Sequence, residues 1–416
     1  MSNKSLDANS LQCKRRIDLS RIFIASVGVS AIICFLIYLI LGDGRFVDVF
    51  FKRCSDFFMD FFNSIRDASQ GSAVYTERKV IYPPMANLFY LVMSRFTPTS
   101  YNNTDFSNKH DWTLYYSPLM LLLVYSIAVA LLLFALVYVS FKNGSDFKRF
   151  AFAFAAFFNI PVLFMAERGN IIMICLIAVM LYAFTYDHEI RFYREIGLIA
   201  LAFAFSLKLY PVVFGWFLIA DKRYKDAIRC AVYGLLMLVI PSFFFGGPAC
   251  LITMLENVFV FSAGEKSALS TILDAIALPS FLQLAVTALV YLWVLICGAC
   301  FALAPFLKRD SWRKWALGFV TILCIPSLTS LYNWAFLLVP IVLLCNKKVA
   351  SRKDLVYMIL MTIPFIFVPY YLSYRIAIST VLAYVFTALL SIVLVTSELK
   401  ELSHILKQRK ANAQTE

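Results

Sequence analysis

The chain contains 416 residues, of which 61% are hydrophobic and only 15% are charged, whereas a soluble domain has about 45–50% apolar and about 25% charged residues. The formal net charge is +13, which in a soluble protein would suggest a nucleic-acid partner. The basic clusters are short and accompany no nucleic-acid-binding motif, so we attribute them to the cytoplasmic loops of a membrane protein. The chain carries no Walker A sequence and no glycine-rich dinucleotide fingerprint, so an activated substrate would have to arrive at or within the membrane.

Apolar runs recur along the chain at lengths near those that cross a hydrocarbon core of about 30 Å. Backbone groups in lipid must be hydrogen-bonded internally, so we predict that these runs are helices. They lack the alternation of a β-barrel. The predicted fold class is all-α, a polytopic membrane protein with about 12 transmembrane or re-entrant helices. The predicted spans are 22–42, 117–141, 149–165, 170–186, 195–208, 211–220, 227–246, 281–306, 315–327, 332–345, 355–371 and 376–396.

The distribution of basic residues predicts the orientation of the chain. With the N-terminus in the cytoplasm, the seven inner segments hold 26 of the 38 Lys and Arg residues, as the positive-inside preference requires. The run at 22–42 is longer than a signal-peptide core and lacks a small-residue cleavage site, so we expect a signal anchor. The predicted parts are a cytoplasmic tail at 1–21, one transmembrane domain at 22–396 with large outer loops at 43–116 and 247–280, and a cytoplasmic tail at 397–416.

The ten cysteines show no spacing typical of a metal site, and we expect neither a metal nor a cofactor. Most lie inside apolar runs, where cysteine acts as a small hydrophobic residue. Cys54 and Cys250 lie in the two outer loops; an oxidising compartment would permit a disulfide between them, but the sequence does not show whether they are close, so the pairing is left open.

The first outer loop contains an amphipathic segment at 55–67. Large apolar residues recur there at helical spacing, and acidic residues recur on the opposite face. We predict a helix lying in the outer membrane interface with its aromatic side towards the lipid. Asp56 and Asp60 are four residues apart and share one face, where a carboxylate could accept a proton from an attacking hydroxyl. The alternative is a solvated polar face, and the residues do not decide which acid would be the base.

A second interfacial helix is predicted at Met85–Phe96, after the turn Tyr82-Pro83-Pro84. Two consecutive prolines are incompatible with a helix interior but suit the start of a helix. The first outer loop is thus predicted to be two membrane-hugging helices joined by a turn.

Charged residues stand at the outer ends of two pairs of spans. Glu167, Arg168 and Asn170 join one pair, and Lys208 and Tyr210 join the next. Charges so close to the apolar core are costly and tend to be functional, although Arg and Lys also snorkel to the interface. A half-helix starting at Pro211 would add backbone amides, and together with the cations these groups would suit a phosphate.

The junction at 326–334 is polar and begins with proline. Tyr332 and Asn333 are candidates for binding a polar headgroup. Trp334 is better explained as an interfacial aromatic anchor.

Together these residues resemble the membrane glycosyltransferases of the GT-C class, most closely glycosyltransferase family 87. The resemblance covers roughly residues 22–345 and rests on several separate features. They are Asp56 or Asp60, Tyr82-Pro83-Pro84, Gly169-Asn170, Lys208-Leu209-Tyr210-Pro211 with the basic loop at 221–224, and Pro326–Asn333. The late junction often carries His in relatives, whereas this chain has Tyr332 and Asn333. A weaker likeness links the chain to phage-type glucosyltransferases that convert O-antigen serotypes.

The resemblance implies transfer of glucose or mannose from a polyprenyl-phosphate carrier, such as undecaprenyl phosphate, to a hydroxyl of a glycolipid or envelope glycan, such as the O-antigen of lipopolysaccharide. It implies an inverting reaction at the outer face of a bacterial inner membrane, with Asp60 or Asp56 as base. Arg168, Lys208 and neighbouring polar residues would bind the lipid phosphate. The expected partners are the lipid-linked donor, the glycan acceptor and membrane lipids, without nucleic acid.

Three other functions fit parts of the sequence. A lipid flippase or transporter would place charges near the bilayer midplane and often shows repeats, whereas these charges cluster at the outer ends of spans. An envelope polysaccharide polymerase or ligase would rely on Arg and His residues of the outer loops, where this chain has only His110. A purely structural membrane subunit would not explain the acidic face.

Overall fold

The computed structural model describes residues 17–42, 58–97, 116–264, 268–307, 310–325, 330–368, 371–373 and 376–413. The helices of the first half are α1 (Leu19–Leu41), α2 (Met59–Ser69), α3 (Ala73–Thr76), α4 (Pro84–Ser94), α5 (Tyr116–Ser140), α6 (Asp146–Phe157), α7 (Ile160–Arg168), α8 (Ile172–Thr185) and α9 (Arg191–Leu207). Those of the second half are α10 (Trp216–Ala220), α11 (Tyr224–Ser242), α12 (Cys250–Gly264), α13 (Ala268–Ala275), α14 (Ser280–Leu303), α15 (Ser311–Leu323), α16 (Leu338–Cys345), α17 (Arg352–Thr362) and α18 (Ile378–Ala413). Short 3₁₀ helices occupy Tyr210–Gly215, Phe243–Phe245, Ala304–Leu307, Leu331–Leu337 and Ile363–Phe365.

The helical character predicted for the chain is confirmed, and each predicted span overlaps one or two of the helices. Two short antiparallel strands, β1 (Tyr371–Ser373) and β2 (Ile376–Ala377), are the departure from all-α. Among the described residues, five helices are long and apolar enough to cross a membrane: Leu19–Leu41, Met120–Ser140, Tyr224–Phe245, Ser280–Leu307 and Ile378–Arg409. The prediction of about 12 spans is therefore not confirmed, because the other apolar helices are shorter.

The surfaces of the long helices identify a membrane protein. Ile40 on α1 is 82% exposed, and Leu284 on α14 is 72% exposed. Large apolar side chains in such number would be unfavourable in water, but they suit a lipid environment.

One predicted span, 149–165, is a bent pair. Helices α6 and α7 meet at an angle of 55° and count as a sixth span if taken together. The break follows from Asn159, whose side chain accepts from the amide of Val162 and donates to the carbonyls of Ala155 and Ala156. Pro161 then occupies the first turn of α7, where its missing amide hydrogen is tolerated. This bend directs the C-terminal end of α7 towards the first large loop.

The described part of the first large loop, residues 58–97, folds onto the protein and does not lay its aromatic face on the membrane. Phe61, Phe62 and Ile65 on α2 are fully buried, and α2 packs against α4. The prediction that this aromatic face would contact lipid is therefore wrong, because the same periodicity serves a protein core. Helix α4 confirms the second predicted helix, and Pro84 opens it.

The two large loops pack against each other. Tyr75 from the first loop lies in a small apolar cluster with Phe245, Cys250 and Met254. The Asn257 side chain donates to the carbonyl of Tyr75 at 2.9 Å. Cys250 is buried here as a free cysteine, and Cys54 lies outside the described residues, so the structure does not support the disulfide.

Trp334 is not an interfacial anchor. Its side chain is fully buried, its indole donates to the hydroxyl of Thr387 at 2.7 Å, and its ring contacts Tyr384 edge to face. The prediction failed because a tryptophan near the end of an apolar run can serve a helix contact as readily as an interface.

Candidate active site

The first helix of the site is α2, whose start is fixed by the chain around Glu167. Phe58 caps α2 in the left-handed region, with φ of 58°, a conformation that a non-glycine residue adopts at a cost. Its amide donates to the carbonyl of Glu167 at 2.7 Å. With Phe61 and Phe62 buried on the other side of the helix, Asp60 is turned towards the end of α7.

The second element is the tight turn between α7 and α8. Gly169 ends α7 with φ of 62°, the conformation that glycine adopts most readily at a helix end. A Cβ atom at this position would lie 2.7 Å from the Cβ of Phe61, so the turn touches α2 directly. This close approach places Arg168 and Asn170 on either side of the contact.

Asp60 binds residues on both sides of Gly169 in the α7–α8 turn. One of its carboxylate oxygens forms an ion pair with the Arg168 guanidinium, and the other accepts from the Asn170 amide at 2.8 Å. The side chains of Asp60 and Arg168 are 20% and 13% exposed, so the pair is reachable but largely shielded. Such charge-assisted contacts are shorter and stronger than neutral hydrogen bonds.

Asn170 is held from several directions and is 1% exposed. Its amide nitrogen also donates to the Tyr82 hydroxyl at 3.1 Å, while its side-chain oxygen accepts from the amide of Ile172 at 3.0 Å. The Tyr125 hydroxyl donates to its carbonyl at 3.2 Å. The Asn170 amide is therefore oriented before any substrate binds.

Lys208 completes the charged group. It follows α9 in an extended conformation, and its ammonium lies 4.1 Å from the centre of the Tyr82 ring. A cation over an aromatic face is stabilised by the ring. Lys208 also interacts electrostatically with Asp60, so one acid and two cations share the site.

Tyr82 lies between these groups. Burial raises the pKa of its hydroxyl well above the usual value, and the nearby Asp60 carboxylate and Tyr332 hydroxyl raise it further. The hydroxyl therefore keeps its proton. Because the Tyr82 hydroxyl accepts a hydrogen bond from Asn170, its own proton points away from Asn170 and can be donated to another group.

Two further tyrosines border the site. Tyr210 lies near Tyr82 and Tyr332, and its buried hydroxyl has no hydrogen-bond partner among the described residues. Tyr332 stacks on Phe164, with ring centres 5.9 Å apart. An unpaired buried hydroxyl is costly, so Tyr210 is suited to bind a polar group of a ligand.

Most of the sequence-predicted residues meet in space. Asp60, Arg168, Asn170, Tyr82 and Lys208 form the cluster, with Tyr210 and Tyr332 at its border. Glu167 and Asn333 have buried side chains, at 0% and 5% exposure; the carbonyl of Glu167 holds the start of α2. Asp56 lies outside the described residues.

The predicted half-helix at Pro211 has a different form. A 3₁₀ helix begins at Tyr210 and leads into α10, so the connection is tighter than an α-helical start. The shape follows from Lys208, whose extended backbone interrupts the helix before Pro211.

Sequence reasoning missed Tyr90 and Tyr125. The Tyr90 hydroxyl accepts from the amide of Ile171 at 3.1 Å, and both rings pack around Phe61. Tyr125 could have been noticed as a hydroxyl in the interior of an apolar run, where a partner is required. Tyr90 carries no such signal.

A polar cavity of about 220 Å³ lies elsewhere, at the start of α15. Its cations are already engaged, since Arg313 donates to Ser397 at 2.9 Å and Lys314 pairs with Asp221 at 3.5 Å. We interpret this cavity as part of a packed ionic network. In the described part of the chain, His, Cys, Asp and Glu form no group of three or more that could hold a metal ion, and metal independence stays a prediction.

The fold and the site define a class, a polytopic membrane protein with a carboxylate and cations gathered where loops meet the membrane helices. A comparison with protein-family profiles matched glycosyltransferase family 87 over residues 81–340, more than half of the chain. The chain therefore belongs to glycosyltransferase family 87, which confirms the predicted resemblance. No curated protein and no solved structure matched it. Asp60 lies before the matched segment, so its assignment rests on its contacts.

Proposed function

We propose that this glycosyltransferase moves a hexose, glucose or mannose, from a polyprenyl-phosphate carrier to a hydroxyl of an envelope glycan or glycolipid. The observation that carries the proposal is the group around Asp60, which joins a proton acceptor to Arg168 and Asn170 with Lys208 beside them. The carboxylate can accept the proton that the acceptor hydroxyl loses, and the cations can stabilise the negative charge that the leaving phosphate gains.

In the proposed reaction, Asp60 acts as the general base. Its carboxylate accepts the proton of the acceptor hydroxyl while the acceptor oxygen forms a bond to the anomeric carbon. The bond from that carbon to the phosphate oxygen breaks, and the lipid phosphate leaves with the electron pair. Attack opposite the leaving group inverts the configuration of the sugar.

The cations stabilise the leaving phosphate. Arg168 presents a planar fork that suits phosphate oxygens, whereas Lys208 supplies a compact charge. The hydroxyls of Tyr82 and Tyr210 add hydrogen-bond donors. These groups supply positive potential where negative charge grows in the transition state.

The proposed location is the outer face of a bacterial inner membrane, with both termini in the cytoplasm. The excess of Lys and Arg in the short loops on the opposite side supports it. A lipid-linked donor fits this location, because it brings the activated sugar to the protein within the bilayer.

Reconstitution tests the function. Purified protein in lipid nanodiscs is given polyprenyl-phosphate glucose or mannose together with the glycolipid extract of the producing cell's envelope, and the products are analysed by mass spectrometry. We expect an envelope glycolipid heavier by one hexose residue with one of the two donors, and none with Asp60→Asn. If wild-type protein forms no such product with either donor, the proposed donor class is wrong.

A further inference from the structure

The polar face of α2 extends beyond Asp60. At helical spacing, Asp60, Asn63 and Asp67 lie along one side of the helix. The opposite side is anchored by Phe61, Phe62 and Ile65, which are fully buried. The rotation of α2 is therefore fixed, and the polar face is held in one orientation.

The two carboxylates of this face both have charged partners. Asp60 is paired with Arg168 and bonded by Asn170. Asp67 accepts from the Arg66 guanidinium at 3.0 Å, and Arg78 lies 4.0 Å away.

Asn63 stands between them and differs from both. It is half-buried, and its amide has no hydrogen-bond partner among the described residues. A half-buried amide without a protein partner has two donors and an acceptor available to a polar ligand.

The position of Asn63 indicates which substrate it meets. The N-terminal end of α2 abuts the α7–α8 turn, since Phe58 bonds to Glu167, and Arg168 of that turn is the residue proposed above to bind the donor phosphate. Asn63 lies on the same face about one turn further along α2, at the spacing of about 5–6 Å between Cβ atoms that is usual for such pairs, and so further from the α7–α8 turn than Asp60. A group bound there would belong to the molecule whose hydroxyl meets Asp60.

We propose that Asn63 is a positioning residue for the acceptor, and that its amide binds a hydroxyl beside the one that reacts. The ligand class is a sugar ring with adjacent hydroxyls, because an amide can donate to one and accept from its neighbour. This inference rests on the proposed function, in which Asp60 activates the acceptor.

The test compares Asn63→Ala with wild-type protein in the same nanodisc assay, with the envelope glycolipid extract titrated as acceptor and the polyprenyl-phosphate sugar titrated as donor. We expect the apparent KM for the extract to rise about 3- to 10-fold, the range for one neutral hydrogen bond. The apparent KM for the donor and the rate of donor hydrolysis by water should stay unchanged. Alanine is a better helix former than asparagine, so α2 should remain folded.

Ser69→Ala is the matched control, because Ser69 lies on the same helix and its hydroxyl bonds to the carbonyl of Arg66 at 2.6 Å. It should leave both KM values unchanged. An Asn63→Ala variant with wild-type kinetics, or one in which the KM for the donor rises instead, would overturn the inference. Failure of the proposed function looks different, since wild-type protein itself would then transfer no sugar to the extract.

Discussion

Asp60 is the residue on which the proposed chemistry depends most. Asp60→Asn keeps the size and polarity of the side chain but removes the proton acceptor, so we expect sugar transfer to fall by about 10²–10⁴, the usual contribution of a general base. Initial rates in membranes at matched expression measure the effect. Asp67→Asn is the control, because Asp67 contacts Arg66 and Arg78 instead of the α7–α8 turn, and it should stay active.

Asp56 remains the competing base. Asp56→Asn should lose less activity than Asp60→Asn, since the contacts of Asp60 with Arg168 and Asn170 already place its carboxylate among the phosphate-binding groups. Full activity in Asp60→Asn together with loss in Asp56→Asn would assign the base to Asp56. Full activity in both would leave the chain without its proposed base.

Lys208 and Arg168 should each contribute to stabilising the leaving phosphate. We expect Lys208→Ala and Arg168→Ala each to slow transfer by about 10²–10³, the cost of removing one group that stabilises the transition state. Lys208→Arg should be only partly tolerated, because a planar guanidinium does not reproduce a compact ammonium above the Tyr82 ring. Single-turnover rates with saturating donor provide the measurement, and normal rates in both alanine variants would place the phosphate elsewhere.

At the scale of elements, the site depends on the contact between α2 and the α7–α8 turn. Buried aromatic residues hold α2 from one side, and the bond from Phe58 to Glu167 holds its start. The backbone of Gly169 then touches Phe61 itself. Asp60 and Arg168 come from segments far apart in the chain, and only the packing of α2 against the turn holds them together. A small shift of either element would therefore separate them.

Gly169→Ala tests this contact. The substitution requires a left-handed residue, at a cost of about 1 kcal/mol or more, and it places a Cβ atom 2.7 Å from the Cβ of Phe61. We expect α2 to move and transfer to fall at least about tenfold, since misplacement by about 1 Å can cost about 10²-fold. Activity and thermal unfolding of the purified variant should be measured together.

Gly71→Ala is the matched control for this strain. Gly71 also has positive φ, 59°, but a Cβ atom there would meet nothing within 4 Å. It should lower stability slightly and leave transfer near the wild-type rate. Equal losses in the two variants would show that backbone strain, and not the contact with α2, explains the effect.

At the scale of the whole molecule, the orientation in the membrane decides which compartment the site faces. A reporter enzyme that is active only outside the cytoplasm should be active when fused at Gly71 and inactive when fused at Asn346. The expectation follows from the excess of Lys and Arg in the short loops of the opposite side. Activity at Asn346 and not at Gly71 would place Asp60 beside the cytoplasm and contradict the proposed donor.

Local features of the chain were sufficient to predict the helices and to single out most of the residues that the fold gathers around Asp60. Apolar runs predict helices because backbone groups in lipid have no other partner, and Lys208 and Arg168 were noticeable because charges beside an apolar core are costly. The predicted number of about 12 transmembrane or re-entrant helices is not confirmed, since apolar composition does not separate a spanning helix from a short buried one such as α8 or α16.

The assembly of the site depended on contacts between distant segments. Periodicity showed that α2 has an aromatic face. It did not show whether lipid or protein covers that face, because lipid and a protein interior are both apolar. The fold buries Phe61 against Tyr90 and Tyr125. The pairing of Asp60 with Arg168 joins residues 108 positions apart, and no local pattern encodes such a distance. Helices and charges follow from short-range chemistry, whereas the meeting of one acid with its cations follows from how the helices pack.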